Sequence, residues 1–201
     1  MASLQSGIVL PFDCKAHAHL TPYLAALQAS CITYDGTMMA FVPPLSHEKL
    51  LSWWKERMAE VGEGKRLIWI LTRPRGSGSD TAGSVVSGSV VSGSVPQGPD
   101  IVGVVMLALP SSETAASRGS IESLLVHQSF RGRRGATALL QALERDAAKL
   151  GRTLLLLHAE AQSPGHQVCR HLGYVEAGIV PKYGISPRGE LRDSVLLYKQ
   201  L

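Results

Sequence analysis

A chain of 201 residues, 45% of them hydrophobic, has apolar side chain enough for one globular domain with its own core, which excludes disorder throughout. Twenty Lys and Arg against sixteen Asp and Glu leave a formal net charge of +4, a mild basic bias that suits an anionic ligand as well as a nucleic acid. Three cysteines, Cys14, Cys31 and Cys169, are odd in number and far apart, so they exclude a disulfide framework and point to a reducing, cytoplasmic setting.

In chain order, GIVLPF reads as a short apolar strand, and what precedes it lacks the basic and long apolar runs of a secretory leader. HLTPYLAALQASC reads as a helix begun at Thr21-Pro22, since proline is tolerated at the first helical position. A looser segment, ITYDGTMMAFVPPL, follows it. Ser46 then has the place of an N-cap for a second helix, HEKLLSWWKERMAEVG, with Leu50, Trp53, Trp54 and Met58 near one face. RLIWILTR and IVGVVMLALP are strand runs, and the second, the longest apolar stretch, is far too short to span a bilayer.

Between these strands lies a Gly/Ser/Val-rich segment, about 75–99, with the tandem pentamer Gly83–Ser87 and Gly88–Ser92. Such a composition cannot offset its ordering entropy, so it is expected to be a flexible insertion in a hairpin within a single domain, 1–201. SIESLLVHQ is the next strand. Residues 134–150 form a helix with Leu139, Leu140, Leu143, Ala147 and Leu150 as its buried stripe and Gly151 as its stop. RTLLLLHAE reads as a strand too apolar to have a wet face. Ser163 and Pro164 open a short helix that ends at Gly173, and YVEAGIVPKY and DSVLLYKQL are two last strands about a turn at Pro187-Arg188-Gly189. The pattern is a mixed α/β domain.

The stretch SFRGRRGATALL gathers arginine and glycine where a helix begins. Strand, glycine-bearing turn and helix start together make an anion site, because the first helical N–H groups are unpaired and the dipole adds about half a positive charge there. Gly132 and Gly135 keep side chains off the backbone, while Arg131, Arg133 and Arg134 add charge-assisted donors. Neither G-x-x-x-x-G-K-[ST] nor G-x-G-x-x-G occurs, which excludes a P-loop and argues against a dinucleotide fold. At 5% aromatic residues the chain has few stacking platforms for nucleic acid, and no nucleic-acid partner is expected.

LLVHQSFRGRRGATALLQALERDA resembles the cofactor motif of the Gcn5-related N-acetyltransferases, in which a strand end leads through Q/R-x-x-G-x-G/A into a long helix. Arg131 and Ala136 match its first and last places, and Arg134 stands where glycine is usual. The element order agrees over nearly the whole chain. PPLSHEKLLSWW and the stretch from HAEAQSPGHQVCRHLGY to the end are similar to the branch of small-molecule acetyltransferases around the tabtoxin resistance protein. The resemblance implies a mostly antiparallel sheet of about seven strands, splayed at the cofactor site, with about four helices. It implies acetyl-CoA as co-substrate and no metal. The cofactor contacts implied are Leu125 and Val126 on the strand, and Arg131, Gly132, Arg133, Arg134, Gly135, Ala136 and Thr137 on the turn.

Acetyl transfer to an amine needs a neutral nucleophile, a donor for the thioester oxygen and help for the leaving thiolate. An amine with a pKa near 10.4 is mostly cationic at neutral pH, so a base or a water chain is required. His158 and Glu160 end the LLLLHAE strand and alternate onto one face; the related branch tends to have Asp in place of His158 and shares the Glu. A tyrosine expected as general acid is replaced by Cys169, with Tyr174 and Tyr183 as other candidates. His166, Cys169 and His171 lie too scattered for a metal cluster. Tyr34 and Phe41, with Met38 and Met39, are expected to line the acceptor pocket. Three readings stand: an acetyltransferase acting on a small amine or hydroxyl acceptor, one acting on a protein lysine or N-terminus, and a degenerate acyl-CoA-binding module. The expected partners are a small-molecule amine and no membrane, in a monomer or homodimer.

Overall fold

Apolar runs of strand length alternate with amphipathic helices, and the computed structural model, which describes residues 7–73 and 101–201, arranges them as one sheet sandwiched between helices. The strands are β1 (Ile8–Pro11), β2 (Arg66–Thr72), β3 (Ile101–Ala108), β4 (Arg118–Val126), β5 (Leu154–Glu160), β6 (Val175–Ile185) and β7 (Leu191–Gln200). Their order in the sheet is β1-β2-β3-β4-β5-β7-β6, antiparallel except where β4 runs parallel to β5. The helices are α1 (Thr21–Asp35), α2 (His47–Gly62), α3 (Gly135–Lys149) and α4 (Pro164–His171). This is the mixed seven-stranded, four-helix fold expected. The Gly/Ser/Val-rich insertion lies outside the described residues.

One core forms beneath α3 and α4, where Leu139, Leu140 and Leu143 pack on Trp69, Leu107, Leu155 and Leu197. Each such leucine contributes about 1.5–3 kcal/mol on burial. A second core fills the opposite face, where Leu24, Leu27, Leu50 and Trp54 of α1 and α2 meet Ile68, Ile70, Val104, Met106 and Leu125. Ser46 and Ser163 cap α2 and α4, each accepting a first-turn N–H, from Lys49 and His166.

Three local expectations are corrected. α1 does not stop at Cys31 but continues through Ile32-Thr33-Tyr34-Asp35, because Ile32 is fully buried and Gly36, at φ 61°, supplies the left-handed cap. Leu150 is 54% exposed: it lies beyond the last turn of α3, where the chain reverses at Gly151. β5 does have a wet face. Leu155 and Leu157 are buried under α3 and α4, but Leu154 and Leu156 are half-buried and His158 is exposed, since α1 and α2 rest mainly on β2, β3 and β4.

Candidate active site

Two features open the sheet at its centre. The paired residues of β4 and β5 run from Arg118 with Leu154 to Ile121 with Leu157, and there the strands part. At the same level β4 has one residue more than β3 between Glu122 and Leu125. Ser123, at φ 52°, absorbs the extra residue as a bulge that bends β4 away. Glu122–Val126 and His158–Glu160 thus face each other across a cleft of about 640 Å³, a size suited to a small ligand.

At one end of the cleft stands the turn into α3. Phe130, 1% exposed, roots it in the core, and Arg133 lies over the Phe130 ring at 5.3 Å. Gly135 fits against β2 so closely that a Cβ there would come within 2.7 Å of Leu71. Gly132 at φ 72° and Arg134 at φ 59° both take the left-handed conformation. That explains why glycine is usual at the Arg134 position. No side chain caps α3, so its first N–H groups, on Gly135, Ala136 and Thr137 along the cleft wall, are free to meet an anion. The cradle fits a pyrophosphate.

Arg131 lines the cleft with its charge already paired. Its guanidinium forms a bidentate pair with Asp35 at 2.5 and 2.8 Å, its Nε donates to the Val126 carbonyl, and it lies over the Tyr34 ring. This side chain ties the turn to the end of α1. Of the arginines, Arg131 and Arg134 line the cleft and Arg133 does not. Because Arg134 holds a left-handed backbone, Arg134→Gly isolates its charge where Arg134→Ala would keep the strain. We expect Arg134→Gly to weaken acetyl-CoA binding by about tenfold or more, the worth of one charge-assisted contact, without lowering the melting temperature. Calorimetric titration beside a thermal melt checks both, and an unchanged affinity would remove Arg134 from the anion cradle.

Thr37, Met38, Met39 and Ala40 form another part of the cleft wall. The Met38 N–H donates to Glu160 Oε2 at 2.6 Å, and the Met38 side chain crosses Gly184 of β6 so tightly that a Cβ there would meet its sulfur. Tyr34 and Phe41 are not part of that wall. Tyr34 is exposed beneath Arg131, and Phe41 packs edge-on against Trp53 at 6.1 Å. Gln28, Asp35 and Glu122 line the cleft and were not singled out from sequence. The Glu122 carboxylate accepts from Arg66 at 2.7 Å.

His158 stacks on Tyr183 with centroids 5.3 Å apart, and its Nδ1 lies 3.4 Å from Ser194 Oγ. Cys169 lines the cleft from α4 and is 2% exposed; burial, with the Glu144 charge adding to it, pushes its thiol up to about 12. Tyr174 is 4% exposed and outside the cleft lining, and burial, then Glu144, raises its phenol well above the usual range. His166 takes the Gln162 N–H on Nδ1 and so donates from Nε2 to Glu176 at 2.9 Å, a structural tie across α4. Among the described residues no helix is long and apolar enough to cross a membrane.

Solved structures share this fold. Against yncA of Salmonella typhimurium with its cofactor acetyl-CoA, the chain is 14% identical over 98% of its length and 95% of that chain, with a TM-score of 0.68. A protein described as a phosphinothricin N-acetyltransferase is 15% identical over 98% of this chain and 99% of its own, at a TM-score of 0.71. RimL, a ribosomal L7/L12 alpha-N-protein acetyltransferase whose bound coenzyme A is in a disulfide with one of its cysteines, is 13% identical over 98% and 95%, at 0.71. Residues 49–174, more than half of the chain, match the model of the acetyltransferase (GNAT) family. The chain therefore belongs to the GNAT family and is an acyltransferase that uses acetyl-CoA.

Proposed function

We propose that the chain moves the acetyl group of acetyl-CoA onto the nitrogen of a small-molecule amine, as the branch resembling the tabtoxin resistance protein does. The observation that carries this reading is the wall Thr37–Ala40. Pinned to β5 by Glu160 and to β6 across Gly184, it forms a fixed wall beside His158–Glu160, which supports a bounded pocket for a small acceptor. The likeness to the protein described as a phosphinothricin N-acetyltransferase agrees with it.

Acetyl-CoA supplies an acetyl thioester, with its pyrophosphate held on Gly132 and Arg134–Thr137. The acceptor nitrogen forms the C–N bond as the C–S bond breaks, and the sulfur leaves with the electron pair. The backbone N–H of Val126, on the edge of β4 that β5 has left, stabilises the charge on the carbonyl oxygen; the Leu125 N–H faces β3. Ser194 Oγ also lies 3.4 Å from the Ala159 carbonyl. With its single proton given there, it accepts from His158 Nδ1–H and leaves Nε2 as the base. Glu160 holds the acceptor wall.

Cys169 keeps its proton across the working pH range, because a thiol at about 12 gives it up only uphill to a coenzyme thiolate. Its part is an S–H hydrogen bond to the leaving sulfur. The disulfide to coenzyme A in RimL supports a cysteine near that thiol in this fold. Cys169→Ala is expected to lower kcat by roughly tenfold, with the KM for acetyl-CoA unchanged. An alanine variant as fast and as stable as the parent would make Cys169 a packing residue.

Thiol release from acetyl-CoA tests the function. We expect turnover with members of a panel of alkyl, arylalkyl and diamine acceptors, and kcat/KM at least a hundredfold lower with peptides bearing a free N-terminus or lysine. Faster turnover of the peptides would overturn the small-molecule reading.

A further inference from the structure

Gln28 is 2% exposed, lines the cleft, and its side-chain oxygen has no hydrogen-bond partner. A buried polar atom left unpaired costs about 1–3 kcal/mol, so a helix facing an apolar core does not keep one without reason. The indole N–H of Trp54 on α2 is unpartnered as well, so it does not serve the glutamine.

The position of Gln28 along β4 follows from two contacts. Cys31 Sγ points to the Val126 carbonyl at 3.8 Å, and Asp35 holds Arg131, so α1 advances in the direction of β4. Gln28 precedes Cys31 by three residues on the same helix face, about 4.5 Å back along α1. One or two strand residues before Val126 lie Leu124 and Leu125, beside the bulge where the cleft opens. α1 lies on the sheet face opposite α3, so this amide comes to the cleft from that face.

We infer that Gln28 is an acceptor-binding residue that selects primary amines, its Oε1 accepting one N–H of the attacking nitrogen. The inference rests on the proposed function. The chemistry is a count of protons. A neutral primary amine has two N–H groups: one goes to the base, the other to Gln28, and the lone pair is left to attack. A hydroxyl or a secondary amine has a single proton, which the base must take, and Gln28 then stays unpaired in the occupied site. A site built around such a bond rejects the analogue that lacks it. The other polar groups that wall this end, Glu160 and Glu122, also accept, and Arg131 is engaged by Asp35. Such a set favours an amine with an apolar body against Met38 and Met39 over an acceptor with its own carboxylate.

The test uses the panel amine turned over fastest, with its N-methyl and hydroxyl counterparts. We expect the parent enzyme to prefer the primary amine by at least a hundredfold in kcat/KM. Gln28→Leu, similar in volume, should shrink that preference by roughly ten- to hundredfold and raise the melting temperature of the free protein by about 2–6 °C. Gln28→Glu keeps an oxygen in place and should retain the preference. An unchanged preference in Gln28→Leu, or its loss in both variants with lowered melting temperatures, overturns the inference and leaves the amine acetyltransferase standing. No turnover of any panel amine by the parent overturns the proposed function, and this inference with it.

Discussion

Replacing His158 with alanine should lower kcat by roughly 10²–10⁴-fold, the usual worth of a general base, while the KM for acetyl-CoA stays within a factor of two or so. As the C–N bond forms, the nitrogen of the proposed neutral amine gains positive charge, and a base must take one of its N–H protons for the amide to result. His158 stands on the part of β5 that has separated from β4, and its ring is exposed to the cleft. Removing an exposed imidazole leaves no cavity, so the melting temperature should move little, and loss of rate cannot be laid to unfolding. The stack on Tyr183 is surface contact and small in energy beside the expected effect. Steady-state kinetics with the best panel amine, beside a thermal melt, reads the result. Rates within twofold of the parent would move the base to Glu122, whose carboxylate lines the cleft at the level where the strands part. His158→Gln should be as slow as alanine, since a carboxamide fills the space without taking a proton.

The helices were legible where their caps were. Ser46 and Ser163 each announce an N-terminus, and both side chains accept the first-turn N–H as the pattern requires. The arginine–glycine turn was legible too, because left-handed positions and an uncapped helix start leave a composition trace. The end of α1 was missed although Gly36 marked it: the β-branched Ile32 and Thr33 read locally as non-helical, and burial of Ile32 outweighs that propensity. The wet face of β5 was invisible because an all-leucine run does not say which side a helix will cover. Neither the bulge at Ser123 nor the pair of Arg131 with Asp35 could be read, since both depend on strand register and on partners 96 residues apart. Gln28 fell within an apolar helical stripe and gave no signal of its own. What the sequence hid is what tertiary contact creates.

If the turn before α3 holds the pyrophosphate of acetyl-CoA, Ala136→Asp will weaken cofactor binding without weakening the fold. Ala136 is the second residue of α3 and lines the cleft. An aspartate there suits the helix dipole and should leave the free protein as stable or about 0.3–1 kcal/mol more stable. The same carboxylate would face the pyrophosphate at close range, where two like charges about 4 Å apart repel by about 4 kcal/mol near a protein surface. Opposite signs are therefore expected in one variant: a melting temperature held or raised, and an acetyl-CoA dissociation constant at least a hundredfold weaker by calorimetric titration. Acetyl-CoA binding within threefold of the parent, in a variant that melts no lower, would contradict the placement of the cofactor.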